Sequence, residues 1–433
     1  MAVVHRGSNG WMLDHLTYIN KTILNCERMK SYTFRPEYFD IVKPHISSST
    51  KTTNPLLKTK TSSTKESTEV SCSGDETISQ DIQGNTACYS RKRKRKHKEL
   101  NQGELDALTY HIKVRDLILE GTKCLLQSEM TKSLLPRMNA SNGDHNSCLA
   151  NMITSDSRLA ELCELAKQVP LEDKEVEDGQ SAVQVIDEET QSVPDLDPFS
   201  LVTENIMNCT RIVTLMGEKY LLPPHTSFLL SDITRMRPLL NYKKFDAIVI
   251  DPPWENKSVK RSNRYSYLQS WQIKQIPIPA LASPECLVAT WVTNRQKHLR
   301  FVKEELYPHW AIDLVAEWYW VKITRSFEFV YPLDSPHKKP YEILILGKVK
   351  SSAYCQNREE TEPIPDQQLL VSVPSKLHSH KPSLAEVLAG YIRSNAHCLE
   401  LFARSLQPGW TSWGNEVLKF QHLDYFCSVE DVT

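Results

Sequence analysis

Residues 245–254 read Phe245-Asp246-Ala247-Ile248-Val249-Ile250-Asp251-Pro252-Pro253-Trp254. A run of this length, apolar without clear alternation, suits a strand buried on both faces, and two prolines end it. Similar runs surround it. Thr226–Leu230 leads to Ser231-Asp232, Leu287–Val292 to Thr293-Asn294, Tyr341–Leu346 to Gly347 and Cys398–Phe402 to Arg404, while Val315–Ile323 contains Lys322. Helical patterns fall between them over Gln296–Leu306 and Leu384–Arg393, the latter with Ser383 and Glu386 spaced as a capping box. Strands alternating with helices predict an α/β fold on an open, mostly parallel sheet covered on both faces. Ligands bind such sheets beyond the carboxyl ends of the strands, so the polar residues that end these runs point to one cleft.

The rest of the chain is read outward from that block. Its 433 residues suggest two or three domains, and 40% apolar and 24% charged residues with a net charge of −1 exclude collagen-like, wholly disordered or histone-like chains. No apolar stretch is long enough to span a bilayer, and the N-terminal residues do not read as a secretory signal. Eleven dispersed cysteines with no Cys-x-x-Cys pair read as reduced thiols and give no metal site. None of the 13 glycines forms Gly-x-Gly, which excludes a dinucleotide fingerprint.

Residues 1–43 carry Trp11, Leu13, Leu16, Tyr18, Ile19, Ile23 and Leu24 at loosely helical spacing, as a segment that packs on a later domain. Residues 44–100 are expected to be a disordered linker. It closes on Arg91-Lys92-Arg93-Lys94-Arg95-Lys96-His97-Lys98, read as a nuclear import signal or a phosphate-binding tether, which places the protein in the nucleus. Residues 101–170 form a helical region, with one helix through about Gln127 and another over Ser157–Gln168. Residues 171–200 are an acidic linker, with ten acidic residues against one lysine in 172–197. The catalytic domain is then 201–425, followed by a tail over 426–433.

Asp251-Pro252-Pro253-Trp254 carries the chemistry. Consecutive prolines fix φ twice and remove two backbone donors, which leaves rigid carbonyl acceptors beside a carboxylate. Trp254 adds a face for a flat ring. An exocyclic aromatic amine needs such a set: Asp251 and the Pro252 carbonyl would hold its two hydrogens and turn its lone pair out of conjugation. Methyl transfer from a sulfonium is an in-line displacement, in which positioning supplies most of the acceleration.

The tetrapeptide resembles the signature of amino-methyltransferases that use S-adenosylmethionine. In its Asp form with Trp, and in this chain order, it is similar to the adenine-N6 methyltransferase family that includes the messenger-RNA adenosine methyltransferase. The likeness runs from about residue 226 to 420. It implies a Rossmann-like methyltransferase sheet with permuted motif order and S-adenosylmethionine as cofactor. It further implies that Asp251, Pro252, Pro253 and Trp254 are catalytic and that Asp232 and Ile233 contact the cofactor's adenine. His380-Lys381-Pro382 matches a motif whose lysine holds the cofactor carboxylate, with Asp251 near the methionine moiety. Arg404 and Asn415-Glu416 match segments that hold the ribose, and Tyr265 an aromatic in the loop that closes on the target base. Around Ser405 and Leu406 the chain is shorter than the messenger-RNA enzyme, and it has no zinc-finger spacing of Cys and His.

Lys257, Lys260, Arg261 and Arg264, interleaved with Tyr265 and Tyr267, suit a single-stranded nucleic acid with phosphates on the cations and bases on the rings. His337-Lys338-Lys339 and Arg325 extend that surface. The resulting reading is adenine-N6 methylation of a polynucleotide by a monomer. RNA is favoured, a small nuclear RNA adenosine (with or without a 2′-O-methyl group) above all, and DNA comes second. The rival readings are a non-catalytic nucleic-acid scaffold and a protein glutamine methyltransferase.

Overall fold

The computed structural model describes residues 2–23, 31–46, 100–127, 158–166, 183–186, 197–255, 267–335, 338–350 and 361–428. Its strands are β1 (Val3–Gly7), β2 (Gly10–Leu13), β3 (Tyr32–Phe34), β4 (Val183–Ile186), β5 (Val202–Asn205), β6 (Arg211–Leu215), β7 (Glu218–Leu222) and β8 (Thr226–Leu229). They continue as β9 (Phe245–Ile250), β10 (Ala282–Val292), β11 (Ile312–Lys322), β12 (Tyr341–Val349), β13 (Leu369–Ser372), β14 (Cys398–Leu401), β15 (Trp410–Trp413) and β16 (Phe426–Ser428).

Twelve of them form one sheet in the order β1-β2-β13-β11-β12-β10-β9-β14-β15-β8-β5-β4. The pairings make β2, β13, β11, β10, β9, β14, β15 and β8 run the same way, with β12 reversed between β11 and β10. The sheet is therefore mixed but mostly parallel, as expected of an α/β methyltransferase fold. The apolar runs at 226, 245, 287, 315, 341 and 398 are all strands. Their side chains alternate between two cores: Ile248, Ile250, Val288, Ile343 and Ile345 face one side, and Ala247, Val249, Leu287, Leu344 and Leu346 face the other. Burial on both faces removes the polar alternation from the sequence.

Four features differ from the sequence reading. Trp11 and Leu13 lie in β2, which pairs in parallel with β13, and among the described residues of the first segment only His15–Ile23 (α1) is α-helical, with a 3-10 turn over Pro36–Phe39. The helical pattern at Gln296 is α-helical to Arg300 and then widens to a π-helix over Phe301–Leu306. The pattern at Leu384 gives a helix only over Ala385–Leu388. Its capping box does not form. Ser383 Oγ does accept the Ala385 N–H, at 3.2 Å, but Glu386 instead accepts the Val3 N–H, at 3.0 Å, which ties β1 to this loop. The helices over Gln102–Leu126 (α2) and Arg158–Ala166 (α3) are as expected, and Asn101 with Glu104 closes a full capping box on α2. The basic run at 91–98 lies outside the described residues, as does most of the acidic stretch, of which Val183–Ile186 forms the edge strand β4.

Candidate active site

Eight codirectional strands put their carboxyl ends on one edge of the sheet. Asp251 follows β9, Arg404 follows β14, Asn415 and Glu416 follow β15, and Asp232 follows β8, in the order in which those strands neighbour one another. On the other side of β9, Thr293 and Asn294 follow β10, Lys322 ends β11, and Lys381 lies beyond β13. Glu342 reaches the same edge because β12 is reversed and starts there.

These groups form an alternating chain of charge. Lys322 pairs with Glu342, and Glu342 meets Lys381 at 3.3 Å. Lys381 meets Asp251 at 2.9 Å, and Asp251 meets Arg404 at 3.6 Å. Arg404 Nε then reaches Glu416 at 2.8 Å, and Glu416 reaches Lys419 at 3.0 Å. Burial disfavours charge on Lys381, but the Asp251 and Glu342 carboxylates outweigh it and raise its pKa. Burial likewise works against Glu342, yet Lys322 and Lys381 bring it down to about 2.

All three Asp251 contacts fall on Oδ2: Lys381 Nζ, Ser379 Oγ at 3.2 Å and Arg404 Nη1. Oδ1 has no partner among the described residues. The acid is thus held by one oxygen and offers the other to the cleft. Ser379 reaches it from a left-handed backbone, φ 59°, which turns the chain sharply before Lys381.

The cleft above this floor has a volume of about 590 Å³, within the range of small-molecule sites. Asp251 to Trp254, Tyr267, Thr293, Asn294 and Tyr341 line it, as do His45, Tyr331 and His378. Its charged lining is Lys322, Lys338, Lys339, Lys376, Lys381 and Arg404 against Asp251 and Glu342, a positive cleft in a chain of net charge −1. Asp232, Ile233, Asn415 and Glu416 lie along the same edge but do not line this cleft, and Arg404 joins the two groups.

Several sequence readings are corrected. The Pro252 carbonyl is not free: it accepts the Trp254 N–H at 2.8 Å, which leaves one lone pair for a ligand. Trp254 is no open platform. It is 6% exposed, its Nε1 donates to the Trp291 carbonyl at 2.9 Å, and its ring lies 4.9 Å from that of His298. His298 Nε2 faces the Glu255 carbonyl at 3.0 Å and so carries the proton, while burial lowers the pKa of the ring and keeps it neutral. Arg325 faces inward and pairs with Asp40 at 2.6 Å instead of extending a basic surface. Both Glu416 oxygens are engaged, by Arg404 and Lys419, so a ribose diol must share them. Asp232 Oδ1 accepts the Thr234 N–H at 2.9 Å and thereby caps the turn Ile233–Arg235. Lys257, Lys260, Arg261, Arg264, Tyr265 and His337 lie outside the described residues, whereas Tyr267 lines the cleft.

Sequence reasoning missed Glu342, Ser379 and the wall supplied by residues 36–46. Glu342 did leave a signal, as a lone carboxylate in the otherwise apolar run Tyr341–Leu346. The wall left none, because it depends on a contact nearly 300 residues away.

The packing of the indole gives a first prediction. Trp254→Phe keeps a ring but removes the donor to the Trp291 carbonyl, so unfolding in urea is expected to show a loss of about 1–2 kcal/mol. An unchanged midpoint would show that the carbonyl needs no donor.

A family model described as MT-A70 matches residues 245–416. The chain is 48% identical to the human protein named N(6)-adenine-specific methyltransferase METTL4 over 489 aligned positions, covering 99% of each chain. It is 35% identical over 214 positions to N6-methyladenosine RNA methyltransferase MTA1 of Pyricularia oryzae, covering 47% of this chain and 55% of that one. It is also 35% identical over 219 positions to a Caenorhabditis elegans protein named DNA N6-methyl methyltransferase, covering 48% and 56%. The match starts at the first residue of β9, spans the tetrapeptide, Lys381 and Arg404, and ends on Glu416, and the chain belongs to the MT-A70 family of adenine-N6 methyltransferases.

Proposed function

We propose that this protein methylates the N6 atom of an adenine in a single-stranded polynucleotide, with S-adenosylmethionine as donor. The observation that carries this reading is the placement of Asp251, anchored through Oδ2 and presenting Oδ1 at the floor of a positive cleft. The residues along the edge suit the cofactor. A zwitterionic amino-acid end fits the Lys381–Asp251 pair, and Arg404 with Asn415 and Glu416 would hold a ribose. Asp232 and Ile233 lie further along, where the adenine end would reach. Bound there, S-adenosylmethionine supplies an electrophilic methyl group.

The chain's own residues do the positioning. Asp251 Oδ1 and the remaining lone pair of the Pro252 carbonyl accept the two N–H bonds of the target amine. That grip turns the nitrogen lone pair out of the ring and lines it up for displacement. Asp251 is also in place to take the proton that the methylated nitrogen sheds. Trp254, fixed by Trp291 and His298, keeps the wall beside the amine rigid and dry. A base inside a duplex cannot reach this floor, so the substrate adenine is unpaired or flipped out.

RNA is the favoured polynucleotide, with a small nuclear RNA adenosine (2′-O-methylated or not) as its leading form and DNA second. The basic run Arg91–Lys98 supports a place in the nucleus. Because one chain supplies both floor and walls of the cleft, a monomer suffices. Three oligonucleotides of one sequence with a single adenine, made as RNA, 2′-O-methyl RNA and DNA, test the reading with radiolabelled donor. Label is expected at the adenine, most of it in an RNA form. Equal label in an oligonucleotide without adenine would defeat it.

A further inference from the structure

Residues 36–46, outside the family match, place Ile41 and His45 on the lining of the cleft. They are held there by polar contacts: Arg325 to Asp40, the Arg325 N–H to the Ile41 carbonyl at 2.8 Å, and Ser326 Oγ to the Val42 carbonyl at 3.0 Å. The His45 N–H also bonds the Val330 carbonyl at 2.9 Å. This docking places the His45 ring 5.0 Å from that of Tyr331, tilted by 42°. Lys338 Nζ lies 5.3 Å from the centre of the Tyr331 ring.

His45 and Lys338 do little for stability, whereas Tyr331 also packs against the main core. His45 and Lys338 are exposed, Tyr331 is half-buried, and the backbone and Asp40 contacts already tether the segment. What the three side chains share is a position on the lining of the cleft that holds Asp251. An accessible aromatic pair with a cation at its edge, at the mouth of a positive cleft, is the arrangement that binds one nucleotide of a single strand. A base stacks on the rings, and its phosphate meets the ammonium group.

We propose that His45, Tyr331 and Lys338 form a subsite for a nucleotide flanking the target adenine, assembled only when the N-terminal segment is docked. The proposal rests on the polynucleotide reading and assigns that substrate a second point of attachment, to which His45 contributes from outside the family match and Tyr331 and Lys338 from within it.

The test uses the full chain and fluorescently labelled single-stranded RNA containing one adenine, with an abasic residue placed in turn at each neighbouring position. Affinity is read by anisotropy and turnover separately, so a protein that binds in this pattern without turnover overturns the methyltransferase reading and leaves the subsite standing. One abasic position is expected to weaken binding to the native protein roughly tenfold. Tyr331→Ala weakens the intact RNA by a similar factor, and the same abasic position then costs that variant nothing further. Tyr331→Phe, which keeps the ring, binds within about twofold of the native protein, which guards against a folding defect. Lys338→Gln lowers the slope of log affinity against log salt by about 0.7, one phosphate on a single strand. Losses from Tyr331→Ala that multiply with every abasic position, or an unchanged affinity for intact RNA, overturn the subsite.

Discussion

Asp251→Asn is expected to lower methyl transfer to adenine by about 10³-fold while the protein stays folded. The two side chains have the same shape, so the change is one of charge and of hydrogen-bond sense. Oδ2 of the native acid faces Lys381 Nζ, Ser379 Oγ and Arg404 Nη1, all of them donors. An asparagine must turn its carbonyl oxygen toward that trio, because its amide nitrogen there would face two cations. The NH₂ group then occupies the place of Oδ1 and meets the target amine donor to donor. The variant therefore loses the acceptor that orients the nitrogen and also presents a group that repels it. Lys381 keeps Glu342 and Arg404 keeps Glu416, so the alternating chain of charge is weakened without collapsing. Single-turnover incorporation of labelled methyl, beside thermal unfolding of both proteins, checks this. A rate within tenfold of the native one, from a protein of native stability, would remove Asp251 from the chemistry.

The sheet and the position of Asp251 at its edge were legible in the sequence for the same physical reason. The part of a strand buried on both faces is apolar, and the polar residue that ends the run marks the carboxyl end, so Ala247–Ile250 and Asp251 could be read together. Short strands flanked by polar residues hid from that test. Gly10–Leu13 and Leu369–Ser372 have four residues each and pair with one another across more than 350 positions of sequence. The capping box at Ser383 misled because a backbone N–H from β1 takes the Glu386 carboxylate. Local spacing cannot encode a competitor from the far end of the chain. Trp254 was seen as a residue of the site but not as a buried one. Its orientation depends on the Trp291 carbonyl and on the neutral His298 ring, neither of which its own tetrapeptide specifies.

The second large effect is expected at Lys381, whose side chain is 10% exposed and sits between two carboxylates. Lys381→Met keeps the length of the chain and deletes the charge. Breaking a buried pair leaves uncompensated charge behind, so the variant should lose about 3–5 kcal/mol of stability at neutral pH. The pH dependence has a definite sign. Burial opposes charge on Glu342, but Lys322 and Lys381 hold its pKa at about 2, below the ordinary 4.5. Its ion pairing therefore stabilises the fold above the ordinary value, and that contribution disappears as pH falls through about 2. Lys381 itself has a raised pKa, so its contribution is complete below the ordinary 10.5 and disappears only as pH climbs through the higher folded value. In the variant Glu342 keeps only Lys322 and takes up a proton at higher pH than in the native protein. The stability gap between the two proteins should then be flat from about pH 5 to 10 and narrow on acidification. Urea unfolding at pH 7.5 and pH 4 measures it. Affinity for S-adenosylmethionine should fall about 10²-fold at neutral pH, because the ligand's carboxylate loses a charged donor. A gap that stays the same at pH 4 would assign the lost stability to packing of the side chain and not to its charge, and undiminished cofactor affinity would place the amino-acid end elsewhere on the edge.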